Sequence, residues 1–104
     1  VHDSFLKAAS KREMLVRLLV NLKGLYLNTR DHERALAVVE RILLIRPIAT
    51  GEIRDRGVIL AKLGRREEAL EQLEAYLNVA PEAPDTQRIV GMVQDLKNGS
   101  GGGE

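Results

Sequence analysis

Two short stretches decide the fold: Glu33-Arg34-Ala35-Leu36 and Glu67-Glu68-Ala69-Leu70, which superpose when the sequence is shifted by 34 residues. The same shift carries Pro47 onto Pro81, and the apolar positions around both stretches follow it. Inside each 34-residue unit the apolar residues recur at three- and four-residue spacing, as on one face of a helix. The sequence therefore predicts an all-α protein built from repeated pairs of helices.

Local signals predict where these helices begin and end. Ser10 and Glu13 form the S-x-x-E pattern of a capping box, so we expect the first helix to begin at Ser10. Asp31 is placed to cap the second helix, which Pro47 then closes. In the second unit Gly64 is expected to end a helix in the left-handed conformation.

The predicted domain organisation has three parts and a repeat domain at its centre. These parts are an N-terminal arm or linker from an upstream domain (1–10), the repeat domain (11–97) and a flexible glycine-rich tail (98–104). The domain is divided into repeat 1 (about 16–49), repeat 2 (about 50–83) and a capping helix that starts near Pro84-Asp85 (about 84–97). Because the chain opens on Val1 and not on Met, we expect a processed or excised piece of something longer.

Composition excludes several classes of function. The 104 residues include 16 Lys and Arg, 15 Asp and Glu, and no cysteine, which excludes a disulfide framework, a thiolate zinc site and a cysteine nucleophile. A net charge of +1 and an aromatic content of 3% argue against a nucleic-acid partner, although the N-terminal half is basic. With no membrane-length apolar run and no signal-peptide pattern, we expect a cytoplasmic module that binds no membrane.

The sequence also shows no pattern typical of a metal site or an enzyme active site. His2 and His32 are its histidines, and their spacing fits no metal site; we expect His32 to be exposed in the first turn of a helix. The glycines form no phosphate-binding loop, and the carboxylates around Glu67 and Glu71 are expected on a solvated helix surface. We therefore expect no catalytic activity, no metal and no cofactor.

When it is divided into 34-residue units, the sequence resembles the tetratricopeptide repeat (TPR) family. The family places a small residue at position 20 and Pro at position 32, and Ala35, Ala69, Pro47 and Pro81 match these positions. Gly57 matches the family's glycine at position 8. The resemblance implies an α-α superhelix of two helix-turn-helix repeats and a capping helix, acting as a protein-binding scaffold.

Four residues depart from the family pattern. Lys23 stands where glycine is usual, and Arg56 stands where leucine is usual. Leu19 and Ile53 stand in the position that tryptophan often holds. Three explanations of Arg56 stay open: its stem runs along the surface to water, it pairs with a glutamate of a neighbouring helix, or the repeat is open there to another domain.

A narrower resemblance is to the C-terminal region of the bacterial SirB-type transglutaminase-like proteins. It rests on Arg54-Asp55-Arg56-Gly57, Leu73-Glu74-Ala75-Tyr76-Leu77 and the start at Arg12-Glu13-Met14-Leu15. The resemblance implies that a transglutaminase-like domain precedes a short TPR segment. The alternative function is then a regulatory region of a transglutaminase-like, peptidase-like or regulator protein whose catalytic domain is absent; without cysteine, no catalytic residue carries over.

The resemblance further implies a concave groove lined by the first helix of each pair. Its candidate contacts with a peptide or protein partner are Arg17, Asn21, Asn28, Arg54, Asp55, Lys62 and Arg88. Guanidinium groups bind carboxylates in a bidentate manner, and asparagine offers both a donor and an acceptor. The competing interpretation is that Asp55 pairs with Arg54 or Arg88 and that this face is merely solvated.

The first helix carries apolar residues on nearly all sides, and such a helix is expected to be covered. We predict a docking face at Leu15, Leu18 and Leu19. Its expected occupant is the upstream domain of the same chain, or a second copy that forms a homodimer.

Overall fold

A computed structural model describes residues 2–99 of the chain, with side chains from residue 10 onward. All regular secondary structure in this part is helical. The helices are α1 (His2–Asn28), α2 (His32–Ile45), α3 (Thr50–Lys62), α4 (Arg66–Val79) and α5 (Thr86–Lys97). The predicted all-α helical repeat is thus confirmed, whereas most of the predicted tail, residues 100–104, lies outside the described residues.

The chain divides into two compact units, Val1–Pro47 and Ile48–Glu104. In the first unit α1 packs on α2. The apolar side of α2 supplies the buried side chains, namely Ala35, Leu36, Val38, Val39 and Ile42. In the second unit α3 packs on α4, and α4 on α5. The buried residues of that unit are Gly57, Ile59, Leu60, Ala69, Leu73, Tyr76, Ile89, Val93 and Leu96.

The turn between α1 and α2 closes with a left-handed residue. Arg30 has φ 60°, and its N–H donates to the carbonyl of Leu27 while the N–H of Asp31 donates to that of Tyr26. This bonding is a Schellman motif, in which glycine is the usual left-handed residue. The Asp31 carboxylate accepts from the backbone N–H of Arg34 at 3.2 Å, which confirms Asp31 as the cap of α2.

The turn between α3 and α4 has the same bonding with glycine in place. Gly64 has φ 80°, and its N–H donates to Ala61 while the N–H of Arg65 donates to Leu60. The predicted left-handed ending at Gly64 is therefore confirmed. Gly64 and Arg30 occupy the same position of the 34-residue register.

The approach of α3 to α4 explains why repeat 2 needs a glycine at position 57. A Cβ built on Gly57 would lie 2.7 Å from Cγ and Cδ2 of Leu73 and 3.2 Å from its backbone nitrogen. Such distances lie well inside normal carbon contacts, so only a glycine lets the two helices pack this closely. Ala69, on the facing helix, is completely buried.

Of the predicted helix starts, that of α1 was wrong and that of α5 was confirmed. α1 begins at His2, so Ser10 lies inside a helix and is not its N-cap. The strong helix formers Leu6, Lys7, Ala8 and Ala9 precede Ser10, and they let the helix continue through the capping pattern. α5 begins at Thr86 with Asp85 as its N-cap residue, which agrees with the predicted start near Pro84-Asp85. Thr86 donates its N–H and its hydroxyl to the Ala83 carbonyl, and these bonds hold residues 83–86 in a turn before the helix.

Candidate functional site

Arg54 of α3 is the centre of a polar cluster in the second unit. Its Nε donates to Oδ1 of Asp55 at 3.0 Å, and its Nη1 donates to Oδ2 of Asp85 at 3.0 Å. The Arg54 guanidinium also lies 6.0 Å from the centre of the Tyr76 ring. Because Asp85 is the N-cap residue of α5, these contacts tie α3 to the start of α5.

Tyr76 of α4 completes the cluster. Its hydroxyl donates to Oδ1 of Asp85 at 2.6 Å, while the ring itself is buried. This hydrogen bond, assisted by Arg54, lowers the pKa of Asp85 below its ordinary value. The same bond raises the pKa of Tyr76, since loss of the phenolic proton would leave two negative oxygens in contact. The cluster therefore holds Asp85 charged and Tyr76 protonated around neutral pH.

The cluster uses two of the predicted groove residues internally. Arg54 pairs with Asp55, which confirms that part of the competing interpretation. Asp55 is therefore bound to its neighbour in the unliganded chain. Arg88 is held less firmly: its Nη2 lies 3.7 Å from Asp85, and its side chain is 59% exposed. Of these residues, Arg88 is thus the one with donors most open to a ligand.

A groove lies beside this cluster, between α3 and α5. It is an open depression of about 390 Å³, with apolar walls formed by Val58, Ala61, Met92 and Leu96. Lys62, Arg88 and Asp95 line it as charged residues. We call it the α3–α5 groove. It brings together Lys62 and Arg88, two of the predicted contact residues, around an apolar floor that can hold one or two side chains of a ligand.

The predicted contact residues of the first unit form a row on α1. Arg17, Asn21 and Asn28 are all exposed and, at spacings of four and seven residues, share one side of the helix. They are separate from the polar cluster, which is built entirely from residues of the second unit. The row offers guanidinium and amide groups to solvent.

The predicted docking residues of α1 do not all point the same way. Leu15 and Leu18 are exposed, together with Met14, Leu22 and Leu25, and these five span an arc of about 100° on the helix. Leu19 falls outside this arc and is half-buried on the side that also carries Tyr26. Leu19 therefore contributes to the packing of the first unit more than to its exposed surface.

A second depression lies on the first unit where α1 meets the end of α2. It encloses about 510 Å³ and is lined by Lys11, Arg12, Leu15, Leu44 and Ile45. Glu13 of α1 lies 3.6 Å from Arg46, just after α2, in an exposed ion pair. Leu15 thus belongs both to the exposed apolar arc of α1 and to this depression.

The structure favours the second of the three explanations of Arg56. The pKa of Glu68, on α4, is lowered first by its hydrogen bonds from Arg65 and also by the charge of Arg56. Arg56 is half-buried and has an interaction partner within the chain. A position that is usually a buried leucine is here tied electrostatically to the facing helix.

The histidines and carboxylates offer no metal centre in the described part of the chain. No group of three or more His, Cys, Asp or Glu residues comes together there. His32 was expected to be exposed but is half-buried, with Nδ1 buried and without a hydrogen-bond partner; the side chain of His2 lies outside the described residues. Over the described residues, none of the helices combines the length and the apolar character needed to cross a membrane.

Sequence reasoning missed two residues of the polar cluster, Asp85 and Tyr76. Asp85 enters the sequence prediction only at the start of the capping helix, and Tyr76 enters it only within the stretch Leu73-Glu74-Ala75-Tyr76-Leu77 that carries the narrower resemblance. A signal was present, because an aromatic ring with a hydroxyl needs a hydrogen-bond partner when it is buried. Which carboxylate supplies that partner depends on how the turn before α5 folds.

Comparison with known proteins identifies the class. A family model described as tetratricopeptide repeat matches residues 22–94. The chain belongs to the tetratricopeptide repeat family, whose repeats mediate protein–protein interactions. The match covers all of α3 and most of α5, the two helices that form the α3–α5 groove. No solved structure matches the chain.

Individual relatives are bacterial proteins of greater length. The chain is 38% identical over 93 residues to the UPF0162 protein of Xylella fastidiosa, strain Temecula1, and 34% identical over 91 residues to Protein SirB1 of Salmonella typhimurium. It is 32% identical over 91 residues to the UPF0162 protein YchA of Escherichia coli K12. These matches cover 88–89% of the chain, which itself spans about a third of the length of the relatives.

Proposed function

We propose that this chain is a non-catalytic, cytoplasmic protein-binding module that holds a peptide segment of its partner in the α3–α5 groove. The observation that carries the proposal is the groove itself. Apolar walls from Val58 and Met92 lie beside the cations Lys62 and Arg88 in a volume of about 390 Å³. A peptide with an acidic group next to a bulky apolar side chain fits this chemistry, because guanidinium binds carboxylate well and the apolar walls exclude water.

The polar cluster supports the proposal by fixing the shape of the groove. Arg54 and Tyr76 both bind Asp85, so the first turn of α5 is held against α3 and α4. Arg88 lies one turn after Asp85 on the same helix. A groove whose walls are fixed before binding loses less conformational freedom when a ligand enters it. The row of Arg17, Asn21 and Asn28 on α1 is proposed as a further contact surface for the same partner.

The test is a binding experiment with charge-reversed variants. A displayed random-peptide library is panned on the purified chain, and enriched peptides are synthesised and titrated by calorimetry. We expect acidic-apolar sequences, and we expect Lys62→Glu/Arg88→Glu to weaken their binding at least about tenfold, since each charged contact is worth about 1 kcal/mol or more. Arg54 is left intact because it holds the cluster together.

A matched double variant controls for net charge. Arg41→Glu/Arg66→Glu changes the charge equally at exposed residues that do not line the groove. It should bind the selected peptides as the unaltered chain does. Equal losses in both double variants, or enrichment of peptides without any acidic residue, would contradict the proposed groove.

A second candidate follows from the relatives' length. The chain spans about a third of them, and α1 exposes a run of apolar side chains. These two observations favour a regulatory region of a longer protein that rests on its own upstream domain. The resemblance to SirB-type proteins is what suggests a transglutaminase-like or peptidase-like protein as the parent. Co-purification of this chain with the remainder of the longer protein, compared between the unaltered chain and Leu15→Glu, tests this candidate; retention that is equal in both would count against it.

A further inference from the structure

The polar cluster fixes the direction in which α3 and α5 run along the α3–α5 groove. Arg54, near the start of α3, binds Asp85, the N-cap residue of α5, at 3.0 Å. The residues that line the groove all come after this contact in the sequence, at 58, 61 and 62 on α3 and at 88, 92, 95 and 96 on α5. The two helices therefore run along the groove in the same direction, and residues equally far from the contact lie at similar levels.

Counting residues from this contact divides the groove into three levels. The first level, three and four residues on, holds a cation, and the second, seven residues on in both helices, is apolar. The third level, eight to eleven residues on, holds charges of both signs. The lining residues at these levels are, in order, Arg88 and Val58; Met92 and Ala61; Lys62, Asp95 and Leu96. At a rise of about 1.5 Å per residue, the first two levels lie about 6 Å apart on α5.

Arg88 can turn to a ligand without leaving an unpaired charge behind it. Its Nη2 is 3.7 Å from Oδ2 of Asp85, and its side chain is 59% exposed. Asp85 already accepts from Tyr76 at Oδ1 and from Arg54 at Oδ2. Both carboxylate oxygens of Asp85 therefore keep a donor when Arg88 binds a ligand carboxylate, which guanidinium groups do in a bidentate manner.

Lys62 is less suited to select an acidic group. It lies at the third level, where Asp95 presents a carboxylate. A ligand carboxylate placed there meets one charge of each sign, so attraction and repulsion largely cancel. Together Lys62 and Asp95 offer donors and acceptors that suit the backbone groups of a peptide. An extended peptide has these groups available, whereas a helix uses its own internally.

The second level owes its space to a small side chain. Ala61 supplies only a methyl group to the wall there, and Met92 lies at the same level on α5 with a long, flexible side chain. Val58 and Leu96 extend the apolar wall on either side along the groove. A bulky apolar side chain of a ligand therefore fits over Ala61, and Met92 can adjust to its shape.

We propose that the α3–α5 groove recognises an extended peptide segment in which one residue separates an acidic residue from a bulky apolar one. In an extended chain, alternate side chains point to the same side and lie about 6.6 Å apart, whereas adjacent ones point to opposite sides. This spacing matches the distance of about 6 Å between the levels of Arg88 and Met92. Arg88 binds the acidic group, and the apolar side chain lies over Ala61. The inference rests on the function proposed above and names the ligand of the same groove.

A series of synthetic peptides tests the spacing. Each is a chain of about twelve residues, serine and glycine apart from one glutamate and one leucine; these two are adjacent, separated by one residue, or separated by three, the spacing that a helical ligand needs. Each spacing is made in both orders, and the tighter order is compared. The peptides are titrated into the isotope-labelled chain, and NMR shifts of the Ala61 and Met92 amides give the affinity. We expect the peptide with one intervening residue to bind at least about fivefold more tightly than the others.

Single substitutions assign the two parts of the site. Arg88→Gln should weaken this peptide at least about tenfold, whereas Lys62→Gln, which removes the same charge, should change its affinity by less than about threefold. Ala61→Leu should weaken it at least about fivefold, because the larger side chain fills the apolar level. Ala37→Leu is the matched control, since Ala37 is an exposed alanine on α2 in the first unit. Circular dichroism checks that every variant keeps its helical content.

Three results would overturn this inference. The first is equal affinity for the three spacings, or a preference for either of the other two. The second is an equal loss in Arg88→Gln and Lys62→Gln, and the third is an equal effect of Ala61→Leu and Ala37→Leu. In each case, peptide binding that Lys62→Glu/Arg88→Glu still weakens would leave the proposed function of the groove standing. Amide shifts that stay away from Ala61 and Met92 with every peptide would contradict both.

Discussion

The two repeats share the same 34-residue spacing, but the side chains at equivalent positions differ in their chemistry. Arg54 and Tyr76, which bind Asp85 in the second unit, correspond to Val20 and Ile42 in repeat 1. Repeat 1 therefore has no side chains at these positions that could form the same cluster. The shared register fixes where the small and apolar packing residues lie, and it leaves the polar and exposed positions free to diverge.

The difference also appears in burial at equivalent positions. Leu25 of α1 is 55% exposed, whereas Ile59, 34 residues later on α3, is 1% exposed. Leu18 and Leu22 of α1 correspond to the charged residues Glu52 and Arg56. On α3 the residues at these positions are polar or buried, whereas on α1 they are apolar and exposed. The exposed surface of α1 is thus a property of the particular sequence and not of the repeat.

The largest effect on stability is expected from alanine substitutions at the equivalent residues Ile59 and Leu25. Ile59→Ala should lower the free energy of unfolding by about 3 kcal/mol, because it leaves a cavity in a filled core. Leu25→Ala should change it by about 0.5 kcal/mol or less, since this side chain is mostly solvated. Urea unfolding followed by circular dichroism measures both values. Similar losses in the two variants would break the comparison.

A smaller effect is expected where α3 and α4 pack most closely. Gly57→Ala should destabilise the chain by about 2 kcal/mol, because the new methyl group would meet Leu73 at 2.7 Å. Gly24→Ala on α1 is the control: no atom lies within 4 Å of its added Cβ, so a gain of up to about 1 kcal/mol in helix stability is expected. Amide hydrogen exchange would place the loss in α3 and α4. A neutral Gly57→Ala would show that the helices can separate at little cost.

The polar cluster should give a moderate effect that depends on pH. Because the pKa of Asp85 is lowered in the folded chain, its stabilising contribution is present above the unfolded value of about 3.9 and is lost as pH falls through the folded value. Asp85→Asn should therefore lower the Tm at pH 7 by about 5 °C, and its difference from the unaltered chain should shrink below about pH 4. Tyr76→Phe removes one hydrogen bond and should give a smaller shift. A difference in Tm that is constant from pH 7 to pH 3 would exclude this role of Asp85.

The smallest effect concerns the two left-handed turn residues. Arg30→Gly should stabilise the chain by about 0.5–1 kcal/mol, since a side chain at φ 60° is strained and glycine is not. Gly64→Ala, at the equivalent position with φ 80°, should destabilise it by about 1 kcal/mol for the same reason. Thermal unfolding of the two variants and their parent measures both shifts. Shifts of the same sign would refute the equivalence of the two turns.

Much of the fold could be predicted from local patterns. The turn at Gly64 and the cap at Asp31 were predicted correctly, because each depends on residues within a few positions of it. The start of α1 was wrong because a capping pattern at Ser10 competes with helix formers on its N-terminal side, and a local motif does not show which of the two wins. The start of α5 near Pro84-Asp85 was predicted correctly, since proline is favoured next to the first turn of a helix.

The side-chain contacts of the candidate site were harder to predict from the sequence than the fold was. The repeat register placed Lys62 and Arg88 at binding positions, and the structure brings both to the α3–α5 groove, while their role as contacts stays a prediction. The register also placed Arg54 and Asp55 there, although these two side chains bind each other and Arg54 also binds Asp85. Asp85 lies 31 residues after Arg54, and no pattern in the sequence pairs them.

By itself, the sequence determined the repeat: its 34-residue register, its helical class and the small residues, such as Ala35 and Ala69, that let paired helices meet. These features follow from spacing and side-chain size, which can be read along the chain. Only the tertiary structure decided which charges pair within the fold, as around Arg54, and which apolar residues stay exposed, as Leu15 and Leu18 of α1 do. The physical reason is that ion pairing and burial depend on distances between residues that are far apart in sequence, and the packing of the helices sets those distances.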